Sequence, residues 1–182
     1  MPLNHINWPL LTAIVCPNIG VFIASYMLQK NIEWFKSLNK PKYTLPNWLF
    51  PPGWIITYCT MGYSSYLVWR DGGSFEEVAV PFGVYGLNLI LNWSWTPLFF
   101  EVRKIKWSLY HIVALWVSTA ALGIVFYSIN PTAGYLIIPN VVWNSYIVVY
   151  SYGIYRDNKQ LLAVEKAEEK KILEKFLQNL KI

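Results

Sequence analysis

The stretch Pro46–Arg70, PNWLFPPGWIITYCTMGYSSYLVWR, decides how the rest of the chain is read. It holds Trp48, Trp54 and Trp69, tyrosines Tyr58, Tyr63 and Tyr66, and prolines Pro46, Pro51 and Pro52, and it is free of acid or base from Pro46 to Trp69. An uncharged apolar run of about 20 residues is the length that crosses the hydrocarbon core of a bilayer as a helix. A plain anchor would be built of Leu, Ile and Val. Rings that carry a hydroxyl or indole N–H instead suit a large, flat, mostly apolar molecule. Trp48 and Trp69, near the two ends, fit an interfacial aromatic belt equally well, whereas Trp54 and Tyr58 sit too deep for one.

Working outward, the whole chain shares this character. It is 55% hydrophobic, 18% aromatic and 14% charged, where a soluble domain carries about 25% charged residues. The composition points to an integral membrane protein. The net charge of +5 is then a topology signal rather than a sign of nucleic-acid binding. Cys16 and Cys59 lie inside apolar runs, so neither a disulfide framework nor a metal site is expected. The N-terminus lacks the basic segment of a cleaved signal peptide, so the first apolar run is expected to remain as a span.

The hydropathy pattern predicts an all-α membrane domain over residues 1–158, a bundle of five transmembrane helices. The spans fall at about 6–28, 46–70, 79–100, 107–128 and 134–156. Pro17 lies within the first span and is expected to kink it, with neighbouring groups meeting the freed carbonyl. Trp34 and Phe35, in the basic loop after it, are expected in a short surface helix. In the third span Asn88 and Asn92 stand four residues apart and share a face, which should point into the bundle because an unpaired amide is costly in hydrocarbon. Gly83 and Gly86 offer close approach, either within the bundle or between two copies in a homodimer. The turn from Ser128 to Gly134 divides the last apolar stretch in two. His111, near the start of the fourth span, reads as an interfacial side chain bonded to headgroups or backbone rather than an axial haem ligand.

Residues 159–182 change abruptly to Lys, Glu and Leu. Leu173, Phe176, Leu177 and Leu180 recur at helical spacing, which predicts a C-terminal amphipathic helix or a solvated tail. Such a helix could lie on the lipid bilayer or take a protein partner. Five spans put every Lys and Arg except Arg70 on one side, which places the C-terminus in the cytosol.

These residues resemble a known family, the translocator proteins, also called tryptophan-rich sensory proteins or peripheral-type benzodiazepine receptors. The resemblance is carried by Lys40-Pro41, Pro46-Asn47-Trp48, Pro52-Gly53-Trp54, Met61-Gly62-Tyr63 and Tyr66-Leu67-Val68-Trp69. It continues through Leu91-Asn92-Trp93-Ser94-Trp95, Pro139, Trp143, Tyr152 and Arg156-Asp157-Asn158, in wording closer to the animal branch. It implies five transmembrane helices around a pocket that opens toward the first loop. It further implies porphyrin or haem, cholesterol or another sterol, or isoquinoline and benzodiazepine-type drugs as ligands, the tetrapyrrole being a ligand and not a cofactor. Carried over by residue, Trp54, Tyr58, Asn92, Trp95, Trp107 and Trp143 would face the ligand. Val149, Tyr152 and Arg156 would form a sterol-binding motif of a weak pattern type. An animal-type member would reside in the mitochondrial outer membrane. The chain departs from the family at Tyr43, usually Trp, at Asn144, Ser145, Tyr146 and Ile147, usually small, and at Ser151, usually Asn.

Three functions stay open on sequence. The favoured one is a receptor and translocator for such lipophilic ligands. The second is an enzyme degrading porphyrin photo-oxidatively, with Trp54 and Trp143 as electron donors, although no acid–base or nucleophile set and no catalytic residues are recognisable. The third is a ligand-gated scaffold acting through the C-terminal helix.

Overall fold

The structure, a computed structural model, describes residues 7–180. Ile6, the predicted start of the first span, and Lys181 and Ile182 of the predicted tail lie outside the described residues. The described chain is all-helical: α1 (Trp8–Lys30), α2 (Ile32–Ser37), α3 (Phe50–Asp71), α4 (Phe75–Thr96), α5 (Ile105–Ile129), α6 (Pro131–Tyr135), α7 (Ile138–Asp157) and α8 (Lys159–Leu180). A 3₁₀ turn, Asn47–Leu49, leads into α3, and a π-helical segment, Pro97–Glu101, continues α4.

A helix count therefore returns eight α-helices among the described residues, not five. Among the described residues, three segments are long and apolar enough to cross a membrane by length and composition: α1, α5 and Pro131–Asp157. Helices α3 and α4 have 22 residues each, about 33 Å at 1.5 Å per residue. Their Trp, Tyr, Pro, Gly, Ser and Asn content makes them less apolar than those three segments.

Local sequence explains the helix ends. Asn7 caps α1 by accepting the Leu10 N–H at 3.1 Å, and Pro9 sits in the first turn where its missing N–H costs nothing. Ser74 caps α4 through the Glu77 N–H, which starts that helix at Phe75, several residues before the predicted span. Asn130 caps α6 by accepting from Ala133. The fifth predicted span is accordingly split between the single turn of α6 and the long α7.

Helix α1 packs on α3, and α5 packs on both α4 and α7. Pro17 is buried within α1 and cannot bond the Ala13 carbonyl. Gly62 of α3 meets that carbonyl: a Cβ at this position would land on the Ala13 oxygen. The two backbones thus approach closely where α1 has a carbonyl to spare. Gly83 and Gly86 behave otherwise, since a Cβ on either would meet open space.

Contacts between loops gather the basic segments at one end. Lys30 pairs with Glu101, Arg103 donates to Asn31 Oδ1 at 3.0 Å, and Asn158 Oδ1 accepts from the Asn39 N–H at 2.9 Å. At the opposite end Asn130 donates to Asp71. Among the described residues the core correspondingly has two clusters. One, around Trp95, Phe99, Ile147 and Tyr150, lies toward the basic end; the other, around Met61, Val68, Leu122, Phe126 and Ile137, lies toward the far end. Many large apolar side chains point outward, including Phe22, Val80, Ile90 and Ile124, as expected of a surface that faces lipid.

Candidate functional site

A cavity of about 210 Å³ occupies the basic half of the bundle. Each wall comes from a different element. Helix α1 supplies Gly20, Val21, Ala24, Ser25 and Leu28, all small or aliphatic. Ile32 and Phe35 close it from the α2 side. Asn47 of the 3₁₀ turn and Phe50, Pro51, Trp54 and Tyr58 of the first half of α3 add to it, with Asn92, Trp95 and Thr96 from the end of α4. The π segment adds Phe99 and Phe100, and α7 adds Ile147 and Tyr150.

The rings are held by one another. Trp95 stacks on Phe99 with centroids 5.1 Å apart and planes 12° from parallel, and its Nε1 donates to the Ser108 carbonyl at 3.2 Å. Trp54 lies against Tyr58 at 5.6 Å and meets the edge of Trp143 at 5.9 Å. The π segment packs five residues into what an α-helix would make with about four. It puts adjacent rings, Phe99 and Phe100, in edge contact at 4.9 Å, and both are buried. Trp34 and Phe35 of α2 then pack on Phe99 at 5.6 and 6.4 Å. The short helix predicted for these two residues is thus present, but half-buried as a cover over the cavity end.

The first loop is strapped over the same end. Asn158 Nδ2 donates to the Asn39 carbonyl at 2.9 Å while its Oδ1 takes the Asn39 N–H. Lys40 Nζ donates to the Phe35 carbonyl at 2.7 Å and stands 4.5 Å above the Phe35 ring. Partial burial lowers the Lys40 pKa from its ordinary value. Tyr43, the departure from the family's Trp, donates its hydroxyl to the Val149 carbonyl at 3.1 Å.

Polar groups are few and their partners are defined. Asn92 Nδ2 donates to the Asn88 backbone carbonyl at 3.0 Å and to Asn88 Oδ1 at 2.9 Å. Asn88 Nδ2 continues to Thr119 Oγ1 at 3.0 Å, which also accepts from Asn144 Nδ2 at 2.9 Å. The shared inward face expected for Asn88 and Asn92 is present, and both are buried.

Of the six residues expected at the ligand, Trp54, Tyr58, Asn92 and Trp95 line the cavity. Trp143 stands behind Trp54, half-buried, with Nε1 sealed and unpartnered. Trp107 is not brought to the cavity: it is 64% exposed on the outer face of α5 and meets Tyr110 edge-on at 5.9 Å. Val149, Tyr152 and Arg156 form an exposed ridge on α7, with Arg156 Nε donating to Asp157 at 2.7 Å. His111 Nε2 lies 2.9 Å from the Leu91 carbonyl, away from the cavity lining. Phe35, Phe50, Phe99, Phe100 and Tyr150 line the cavity and were not anticipated. The Pro97 that follows Thr96 was the one signal for the altered helix at Phe99.

Comparison with known proteins returns a consistent picture. The model of the TspO/MBR family matches residues 13–156. The Translocator protein of Sus scrofa is 36% identical over 153 residues, 83% of this chain and 90% of that protein. That of Homo sapiens is 35% identical over 152 residues, 82% and 90% of the two chains. The Tryptophan-rich sensory protein of Cereibacter sphaeroides is 29% identical over 139 residues, 76% and 85%.

Proposed function

The chain belongs to the TspO/MBR family, and on that premise we propose that it is a membrane receptor and translocator that takes a flat lipophilic ligand, a tetrapyrrole or a sterol, into the cavity at its basic end. The carrying observation is the cavity wall itself, where Trp54, Tyr58, Trp95 and Phe99 surround about 210 Å³ with little polarity. Aromatic faces of this kind bind planar or fused-ring molecules through area and stacking.

In this reading α3 and α4 also cross the bilayer, which makes five spans. Their outward residues support it: Ile55, Ile56, Val80, Leu87 and Ile90 are exposed, while Thr57, Ser64, Asn88 and Asn92 are buried. That is the reverse of a soluble helix and the arrangement lipid demands. The basic end, with the C-terminus, faces the cytosol, and the home expected for an animal-type member is the mitochondrial outer membrane. The ridge Val149–Tyr152–Arg156 would meet a sterol at the interface, outside the cavity. The open faces of Gly83 and Gly86 favour the pairing of two copies over packing inside one bundle.

The test is a titration of the detergent-solubilised protein with protoporphyrin in the dark, followed by quenching of tryptophan fluorescence with inner-filter controls. Saturable quenching that weakens in Trp54→Phe, and that a sterol competes away, is expected. Linear, non-saturable quenching in both proteins would refute the reading. Illumination of the same complex separates carrier from enzyme, since light-dependent loss of porphyrin absorbance would favour photo-oxidation.

A further inference from the structure

We infer that the last three turns of α8 sit on the bilayer surface, with their apolar side in the lipid and their lysines on acidic phospholipid headgroups. The chain then carries a second lipid contact beside its transmembrane bundle, one that responds to the charge of the leaflet. The inference rests on the part of the reading above in which α7 crosses the bilayer, and not on the cavity or its ligand.

The end of α8 presents an apolar side that no part of the described chain covers. Ile172, Leu173, Phe176, Leu177 and Leu180 are between 49% and 69% exposed. At the helical spacing they occupy an arc of about 140°. A coiled-coil seam is narrower, whereas an arc this wide suits a lipid surface. Lys170 borders the arc on one side and Lys175 lies past Ile172 on the other, both exposed. Lys171, Glu174 and Gln178 take the opposite face. Lys170 Nζ stands 3.7 Å from Glu174 Oε1, and Glu174 is the one acid in 170–180 against Lys170, Lys171 and Lys175. Lysines at the margins of such an arc lay their stems along hydrocarbon and lift their ammonium groups to the level of the phosphates.

Where α8 starts decides what lies within its reach. Helix α7 ends at Asp157 and α8 begins at Lys159, with Asn158 alone between them. Asn158, at φ −117° and ψ 17°, breaks the helix there. Leu162 packs against the core cluster that includes Leu38 and Ile154, which fastens the first turn of α8 to the basic end of the bundle. Ile172 follows 13 residues after Lys159, about 20 Å along the axis or roughly two helix diameters. The apolar end is thus tethered within a helix length of the bilayer, where lipid is far more concentrated than any soluble partner. A second copy of the chain fits less well. The register positions that continue the stripe back toward α7 are held in the sequence by Glu165, Lys166 and Glu169. A two-stranded coil would have no apolar seam over that half.

The experiment is hydrogen exchange of the full chain in nanodiscs that hold one copy each, made of phosphatidylcholine alone or with phosphatidylserine added. Each lysine at an acidic surface is worth about fivefold, so exchange over 170–180 should be at least about tenfold slower in the acidic discs. Lys170→Gln/Lys175→Gln should remove that difference, and high salt should do the same to the natural chain. Phe176→Gln, at an exposed position, should quicken exchange in both kinds of disc. Equal exchange in the two lipids overturns the inference. Protection over 170–180 that arises only in discs holding two copies also overturns it, in favour of self-pairing. Fast exchange over 138–157 in both discs overturns it together with the span on which it rests. Protoporphyrin titration of the same discs reads the cavity independently, so neither result decides the other.

Discussion

At the end of the bundle away from the basic loops, Leu122, Phe126, Ala133 and Ile137 are fully buried, and Ser64 bonds the Ala133 carbonyl at 2.6 Å. Gly62 and Gly134 there admit neighbouring backbone so closely that a Cβ on either would overlap it. At the basic end the residues are larger and more aromatic, yet they enclose open space. Big rings leave gaps when they brace one another edge-on, as Trp54 and Trp143 do, or when a π segment moves them off helical spacing, as at Phe99 and Phe100. Small residues close helices together; rigid aromatic ones hold them apart. One end holds the fold and the other keeps an open volume.

The sharpest way to break that division is at Gly62. Gly62→Leu should prevent α1 and α3 from meeting, at a cost of about 3 kcal/mol or more, and abolish the folded, detergent-stable species seen by size exclusion. The same substitution at Gly86, which faces open space, should leave the monomer fold intact. Next in size is a pair of truncations. Leu122→Ala, in the fully buried far cluster, should cost about 2–5 kcal/mol. Leu28→Ala, half-buried at the cavity wall, should cost about 1–2 kcal/mol, because it removes less surface from contact. Equal losses of melting temperature would erase the distinction between the ends.

A smaller effect is expected at the strap. Asn158→Ala removes bonds to Asn39 and to the Ile154 carbonyl, worth about 1–3 kcal/mol together. Hydrogen exchange should quicken over residues 38–46 and ligand should leave faster, with the far cluster unaffected. The smallest effect concerns pH. Hydrogen bonds from Lys30 and Asn31 hold the Glu101 carboxyl below its ordinary value. A depressed folded-state pKa contributes stability above the unfolded value, and that contribution is lost as pH falls through the folded one. Melting temperature should therefore step down slightly in that acid range in the natural chain and not in Glu101→Gln; added salt should blunt the step, since both groups are exposed.

How much of this was legible in the sequence depends on the kind of signal. Long uncharged runs mark helices whatever their packing, so α1, α5 and most of α7 were readable to within a few residues. Which face of such a helix turns inward was not readable for the tryptophans. Trp95 and Trp107 both fall within predicted spans, yet one is 8% and the other 64% exposed. A helix bathed in lipid is apolar all round, so hydrophobic periodicity carries no phase. Asn88 and Asn92 were placed correctly because an amide does carry phase, since its polarity must turn inward. The π segment was hidden for another reason: it is a change of hydrogen-bond register, set by Pro97 and the packing of α2, with no composition of its own.

The measurement that tests the central claim most directly is to fill the cavity without touching its aromatic wall. Ala24 lines the cavity from α1, and Ala24→Trp would occupy that volume. Equilibrium binding of protoporphyrin to the purified variant, with melting temperature recorded alongside, is the assay. The account predicts that saturable binding is lost while the melting temperature stays near that of the natural chain. Unchanged affinity in a folded Ala24→Trp protein would place the ligand elsewhere and contradict it.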